Sequence, residues 1–441
     1  MLFFVYIKNN FIDTSAIIMA SSHNKLSHNG LIDRRSFLRS GATLLTAVAS
    51  AGLSPPRAAQ DFSRYPRYMT TPGRSSDSYG LPSQYESQVK RKKKQYYQSK
   101  IFTEALTPLQ DLRGIITPNG LHFCIHHNGI PDIPPDKHRF MIHGLVDKPL
   151  KWNMADLLRY PMISRVQFLE CSGNSAANAT SDEPVQGNCM ALHGQISCAE
   201  WTGIPLSVLL NEVGIKSKAR WAMCEGADAG SQVRNIPIEK LLDDAIIALY
   251  QNGERLRPDQ GYPMRLFLPG YEGNANIKWL HRMELSDQPS QSKDEQSLYA
   301  EFDNKLKIRQ FTLYMEVKSV ITHPSGLQQL PDKGYYEISG LAWSGRGKIN
   351  TVEVSADGGN SWLPATLQGP TLSKAFTRFT LPWQWQGQSA RLISRAIDEY
   401  GNTQPSRKEW KSRFANFTFN HYNAMQIWEV TREGRINNAY S

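Results

Sequence analysis

Downstream of about Arg309 the sequence changes its hydrophobic period, and that change does most to constrain the fold. Before it, short β-rich runs at 139–145, 165–169 and 264–268 alternate with amphipathic segments at 154–158, 205–213 and 238–243. Such a mixture predicts an α+β domain. After it come alternating strand patterns at 334–343, 348–355, 378–382 and 391–397, punctuated by turn signals such as Asp357-Gly358-Gly359-Asn360. That spacing predicts an immunoglobulin-like β-sandwich. It must stand without a disulfide pin, because no cysteine lies beyond position 224. A polar break at 288–294 separates the two patterns, giving expected domains at 107–300 and 308–441. The chain length of 441 residues also exceeds what a single hydrophobic core supports.

The N-terminal part reads differently. Asp33-Arg34-Arg35-Ser36-Phe37-Leu38-Arg39 precedes a weakly apolar run at 41–53 and a small-residue exit at Ala58-Ala59-Gln60. Together they predict a twin-arginine export signal over 1–59, hence a periplasmic protein exported already folded. From 60 to 106 the chain is rich in Ser, Pro, Tyr, Gly and Lys with no apolar period, which predicts an extended basic arm. Within the net charge of +10 the sharpest cluster is Lys90-Arg91-Lys92-Lys93-Lys94, flanked by Tyr96 and Tyr97. An exported protein meets little nucleic acid, so the cluster is expected to be solvated and no nucleic-acid partner is expected. No run of 18 apolar residues is present, so no membrane span is expected.

Five cysteines, at 124, 171, 189, 198 and 224, leave an odd thiol in an oxidising compartment. Cys171 closes the strand-like run Val166-Gln167-Phe168-Leu169-Glu170 and is followed by Ser172-Gly173-Asn174-Ser175. One thiol is thereby presented at a strand end, either as inert packing or as a thiolate ligand for a soft metal. Cys124 and His126 would share one face of a strand and invite a zinc reading, but no second ligand pair follows at zinc spacing. Arg265 and Lys278 can converge on one phosphate, although as an unaided motif this is weak and a turn flanked by surface charges explains them more readily.

The longer context resembles the sulfite oxidase family of molybdenum enzymes, and within it the sulfane dehydrogenase branch. Residues 122–285 carry the resemblance, above all Phe168-Leu169-Glu170-Cys171-Ser172-Gly173-Asn174-Ser175, and it extends over most of 110–441. It implies a sulfite-oxidase-type molybdopterin-binding domain followed by the sandwich as a dimerisation domain. It also implies that Cys171 gives its sulfur to molybdenum, the pterin dithiolene supplying the other sulfurs. His126 and His127 stand where the family's Asn-His pair contacts the pterin, and Gln260, Arg265, Asn276, Ile277 and Lys278 match its cofactor-holding positions. His193 lies near the matching cofactor-lining loop. Tyr250, in Ala248-Leu249-Tyr250-Gln251-Asn252-Gly253, stands one residue away from the family's metal-facing tyrosine and is a candidate catalytic residue.

Ile125 departs from the pattern, occupying the place of an arginine near the metal and the anionic substrate; either Arg234 or Arg309 compensates as a substrate-binding residue, or the substrate and turnover differ from the family norm, or the sequence carries an error there. The resemblance further implies oxygen-atom transfer to reduced sulfur, with a sulfane on a carrier-protein cysteine as substrate. No Cys-x-x-Cys-His motif for c-type haem occurs, so electrons are expected to leave through a separate carrier, which the resemblance implies is a c-type cytochrome. A homodimer within a larger complex is expected. The competing readings are a methionine-sulfoxide-reductase-like molybdoenzyme, which would lack the sandwich, and a non-catalytic secreted binding protein.

Overall fold

The computed structural model describes residues 66, 69, 72 and 74–440, so the expected export signal over 1–59 lies outside the described residues. The first strands are β1 (Lys92–Gln95), β2 (Thr103–Leu106), β3 (Cys124–His126), β4 (Arg139–Gly144), β5 (Leu150–Asn153) and β6 (Ile163–Glu170). They are followed by β7 (Ile196–Pro205), β8 (Trp221–Gly226), β9 (Val233–Pro237), β10 (Ile246–Gln251), β11 (Glu254–Arg255), β12 (Arg265–Phe267) and β13 (Leu280–Ser286). One five-stranded sheet runs β11-β10-β7-β6 with β12 also on β10, and another runs β5-β4-β13-β8-β9. Only β4 and β13 pair in parallel in these two sheets. The three expected helices form at Met154–Leu157, Leu206–Val213 and Ile238–Asp243. Asn153 starts the first with a reciprocal capping box, its side chain and that of Asp156 each accepting from the other's backbone N–H.

Alternation explains why these runs are strands. In β8, Ala222, Cys224 and Gly226 point inward while Trp221, Met223 and Glu225 stand at the half-buried face. The core they join, with Phe140, Leu209, Ile236, Leu266 and Met283, lies under the helices.

A short hairpin, β14 (Glu301–Phe302) with β15 (Ile308–Arg309), leads into the second domain. That domain contains β16 (Lys318–His323), β17 (Gly334–Trp343), β18 (Ile349–Ser355), β19 (Leu363–Pro364), β20 (Thr366–Gln368), β21 (Thr377–Trp385), β22 (Ala390–Asp398), β23 (Ile427–Val430) and β24 (Ile436–Ala439). Two antiparallel sheets, β16-β17-β21-β20 and β19-β18-β22-β23-β24, form the expected sandwich. Trp343, Phe379, Trp383, Leu392 and Trp428 fill it without a disulfide, all five cysteines of the chain being free. Phe168, Leu192, Ile196 and Cys198 of the first domain belong to the same apolar cluster, so this face of the first domain packs into the sandwich core while the domain keeps its own core elsewhere.

One expectation is corrected here. The C-terminal part of the supposed arm is ordered: β1 carries Lys92-Lys93-Lys94 and pairs with β2, which pairs with β3, while the Lys92 and Lys93 side chains stay exposed. Lys94 reaches buried Glu104 at 3.0 Å, and Arg91 reaches Asp259 at 2.7 Å. A strand held by hairpin pairing with β2 and by the reach of Arg91 to distant Asp259 carries no apolar alternation, so periodicity could not detect it.

Candidate functional site

Strand β6 delivers Cys171. Its backbone N–H donates to Gln195 O at 2.9 Å and its carbonyl accepts from Asn174 N at 3.0 Å, so the residue is clasped at the turn after the strand. Glu170, just before it, is fully buried and held by Trp343 Nε1 at 2.7 Å, Asn174 Nδ2 at 2.9 Å and Lys318 Nζ at 3.3 Å. The second domain therefore grips the residue next to the thiol. Of the five cysteines only Cys171 is not fully buried, and it lines a cavity of about 120 Å³. Burial pushes its thiol up to about 12, so a metal cation is what would hold it as thiolate.

Arg265 and Lys278 stand opposite each other in an antiparallel bridge on the wall of that cavity. Gly261, at φ +109, makes their approach feasible: a Cβ there would lie 3.1 Å from Lys278 Cβ and 3.2 Å from Arg265 Cβ. Arg265 donates to Gln260 O at 3.1 Å and Asn276 O at 2.9 Å, while Gln260 Nε2 donates to Phe123 O at 3.0 Å. Asn276 ties the loop, accepting from Leu268 N at 2.6 Å and donating to Glu272 O at 2.9 Å. Ile277 is buried beside them and lines the same cavity.

Lys278 Nζ donates to Ile125 O at 2.8 Å and to His126 Nδ1 at 2.7 Å. Among the described residues neither cation has a carboxylate partner within ion-pair distance. Burial lowers Arg265 to about 9 and Lys278 to about 7. Arg265 Nε and His126 Nε2 are buried donors with nothing to donate to. Two uncompensated cations and two orphaned nitrogens around one cavity fit a ligand bearing a phosphate and ring acceptors, as a pterin phosphate does.

The zinc reading of Cys124 and His126 fails on charge. Both are buried on β3, but Lys278 occupies the His126 nitrogen and Arg91 NH1 lies 3.5 Å from Cys124 Sγ, so cations already sit where a zinc ion would go. His127 is half-buried, meets the Phe102 ring edge-on at 5.0 Å and is kept neutral by burial. Among the described residues no three His, Cys, Asp or Glu side chains converge as a protein-only metal site requires. A metal at Cys171 needs ligands from a cofactor.

Cys171, His126, His127, Gln260, Arg265, Asn276, Ile277 and Lys278 thus line one cavity. Four expected residues do not. A register shift in β10 turns Leu249 into the core and leaves Tyr250 half-buried under the Arg255 guanidinium, 4.9 Å from its ring centre. His193 is a domain-docking residue, bonded to Ser175 Oγ at 2.7 Å and Gln426 Oε1 at 3.0 Å. Arg234 is buried between Glu272 at 2.9 Å and Glu295 at 2.6 Å. Arg309 is exposed on β15 and lines a separate groove between the domains. Neither arginine replaces the cation missing at Ile125, which itself lines the cavity.

Sequence reasoning missed Asp228, Gln232, Asn274, Trp279 and Tyr299, all cavity-lining. Trp279 alone left a trace, following Lys278 in a run already singled out; its backbone sits at φ +54, uncommon for a bulky residue and in keeping with a functional site. From Cys171 the cavity opens into a funnel of about 960 Å³, walled by Tyr96, Tyr97 and Phe102 on one side and Phe419 on the other. Among the described residues no helix is long and apolar enough to cross a membrane.

Comparison with known proteins agrees with this geometry. The oxidoreductase molybdopterin binding domain matches residues 127–294, and the Mo-co oxidoreductase dimerisation domain matches 309–428. The solved sulfane dehydrogenase SoxCD from Paracoccus pantotrophus is similar at 39% identity and a TM-score of 0.83, over 86% of this chain and 98% of that one. A nitrate reductase [NADH] of Ulva prolifera is 31% identical over 340 residues, and nitrate reductase [NADH] 1 of Arabidopsis thaliana is 32% identical over 349. Those matches cover 67% and 70% of this chain, which spans only 39% and 38% of the reductases' lengths. The dimerisation-domain match removes the sandwich-less methionine-sulfoxide-reductase-like reading, and the cofactor-binding domain removes the non-catalytic one. The chain belongs to the sulfite oxidase family of molybdenum-molybdopterin oxidoreductases.

Proposed function

We propose that this chain is the catalytic subunit of a sulfur-oxidising dehydrogenase whose substrate is a sulfane carried on a protein cysteine, with free sulfite a poorer substrate. One observation carries the reading: the likeness to a sulfane dehydrogenase spans 98% of that solved chain at 39% identity. When bound, the molybdopterin supplies two-electron oxygen-atom transfer to sulfur. Cys171 would ligate the metal, Arg265 and Lys278 would neutralise the pterin phosphate, and His126, His127, Gln260, Asn276 and Ile277 would line the pterin. Asn276 and Gln260 act by fixing the guanidinium through backbone and side-chain oxygens, which keeps the charge in place when water is excluded.

The wide, aromatic-walled funnel outside Cys171 suits a substrate borne on a macromolecule rather than a small free anion. The resemblance read from the sequence implies a c-type cytochrome as electron acceptor, and this chain, which carries no c-type haem motif, would pass its electrons to it as a separate partner. The sandwich would pair two copies within a larger complex, and the twin-arginine segment would deliver the folded, loaded protein to the periplasm. Purified holoenzyme assayed on sulfite, thiosulfate and protein-bound sulfane, with and without a c-type cytochrome, tests this. Cytochrome reduction is expected with bound sulfane; turnover confined to nitrate would overturn the reading.

A further inference from the structure

The groove between the domains has a volume of about 870 Å³ and shares no lining residue with the cofactor cavity or the funnel. Its cationic side chains are Arg309, Arg346, Lys374 and Arg413. Two of them are spent on carboxylates: Arg346 meets Glu316 at 2.9 Å, and Lys374 meets Asp244 at 2.5 Å. Among the described residues Arg309 and Arg413 have no carboxylate within ion-pair distance. The fold brings these two together. In the β14–β15 hairpin, Phe302 O accepts from Ala415 N at 3.0 Å, and the Arg309 guanidinium lies 5.6 Å from the ring centre of Phe414, the neighbour of Arg413.

His421 lines the same groove but is only 5% exposed. Its Nε2 lies 3.1 Å from Glu272 Oε2 and 3.9 Å from Glu301 Oε1, and Glu301 is the cross-strand partner of Arg309. Burial works against a charged imidazole, but the bond to Glu272 and the charges of Glu272, Glu301 and Glu170 outweigh it and raise the pKa above the ordinary value. With both ring nitrogens protonated, Nε2 donates to Glu272 while buried Nδ1 has nothing to donate to. Of the lining carboxylates Glu316 is taken by Arg346, which leaves Asp243 against two guanidiniums and one imidazolium. A stranded buried donor beside two unpaired planar forks is a donor set for an oxyanion.

We propose that the interdomain groove is a binding site for a divalent tetrahedral oxyanion, of the sulfate or phosphate class, held by Arg309, Arg413 and His421 Nδ1–H. The site is independent of the sulfur-oxidising reading. It also touches the joint between the domains, because the His421 backbone N–H donates to Ser172 O, next to Cys171, at 2.8 Å.

The test is equilibrium dialysis of the full-length holoenzyme against radiolabelled sulfate and, in a separate arm, radiolabelled phosphate, with ionic strength held constant by chloride. Wild type is compared with Arg309→Gln, Arg413→Gln and the double variant. Both side chains are exposed, so molybdenum per chain and the unfolding temperature in oxyanion-free buffer should match wild type. Each single substitution should raise the Kd of the groove at least about tenfold, the effect of losing one charge-assisted hydrogen bond, and the double variant should bind about one oxyanion per chain fewer than wild type. An anion held in the cofactor cavity would persist in every variant and is thereby told apart. Tighter sulfate than phosphate assigns the site to sulfate, and the reverse assigns it to phosphate; either supports the proposal. Equal uptake of both anions by wild type and the double variant would overturn it. So would a lowered unfolding temperature or lost molybdenum in the single variants, which would mark the arginines as structural.

Discussion

Arg265 and Lys278 face each other across an isolated antiparallel bridge, so two segments of the chain each place one buried cation on the same wall. Removing either should empty the cofactor site. Arg265→Met leaves the Gln260 and Asn276 carbonyls without their donor, at about 1–3 kcal/mol for each buried group stranded. We expect molybdenum per chain, measured by elemental analysis, to fall at least about tenfold in Arg265→Met and in Lys278→Met. Arg265→Lys keeps charge but not the fork and should retain an intermediate amount.

Cys171→Ser should lower turnover by more than about a hundredfold, beyond the usual cost of losing a ligand-orienting group, while circular dichroism and unfolding stay near wild type. Cys198→Ser and Cys224→Ser place a hydroxyl at fully buried positions inside apolar clusters and should cost about 1–3 kcal/mol of stability without lowering activity per molybdenum. Equal activity loss at Cys198 would place the metal elsewhere.

Acid stability should depend on Glu272. Burial raises its pKa, but Arg234 and His421 outweigh that and depress the folded value from 4.5 to about 2. A depressed carboxylate contributes stability that is present above its unfolded value and lost as pH falls through the folded one. Unfolding free energy should therefore fall between about pH 4.5 and 2, and Glu272→Gln should flatten that slope. A slope unchanged in the variant would show that other groups carry it.

Separating the domains should fail. Phe168, Leu192, Ile196 and Cys198 share a core with the sandwich, so removing residues from Arg309 onward exposes apolar surface and strips Glu170 of Lys318 and Trp343. Sedimentation of the truncated protein should show aggregation. In the intact chain, Lys318→Met should cost about 3–5 kcal/mol in denaturant unfolding, because it strands buried Glu170.

Ile125 lines both the cavity and the funnel, so Ile125→Arg adds a cation at the throat where they meet and should favour a free anion. The KM for sulfite should fall, each 1.4 kcal/mol of new attraction being worth about tenfold, while turnover of protein-bound sulfane declines. Kinetics with both substrates check this. A falling KM for both would mean that the natural substrate is anionic at the throat.

The sequence alone determined everything that depends on neighbours along the chain. Alternating residues in 334–343 specify a strand because each buried side chain is two positions from the next, and β17 forms over Gly334–Trp343. The strand that ends at Cys171, and the identity of Arg265 and Lys278 as a pair, were legible for the same reason: the residues that carry them lie within short, chemically distinctive runs. Tertiary structure decided the rest. Tyr250 missed the site because a bulge in β10 reset which face its side chain takes. Arg234 turned from a substrate ligand into a brace because Glu272 and Glu295, far apart in sequence, close on it in the interior. Arg91, beside Lys92–Lys94, is anchored because Asp259 reaches it from a distant segment. Each of these outcomes depends on charge pairing or sheet register between distant segments, which no local pattern encodes.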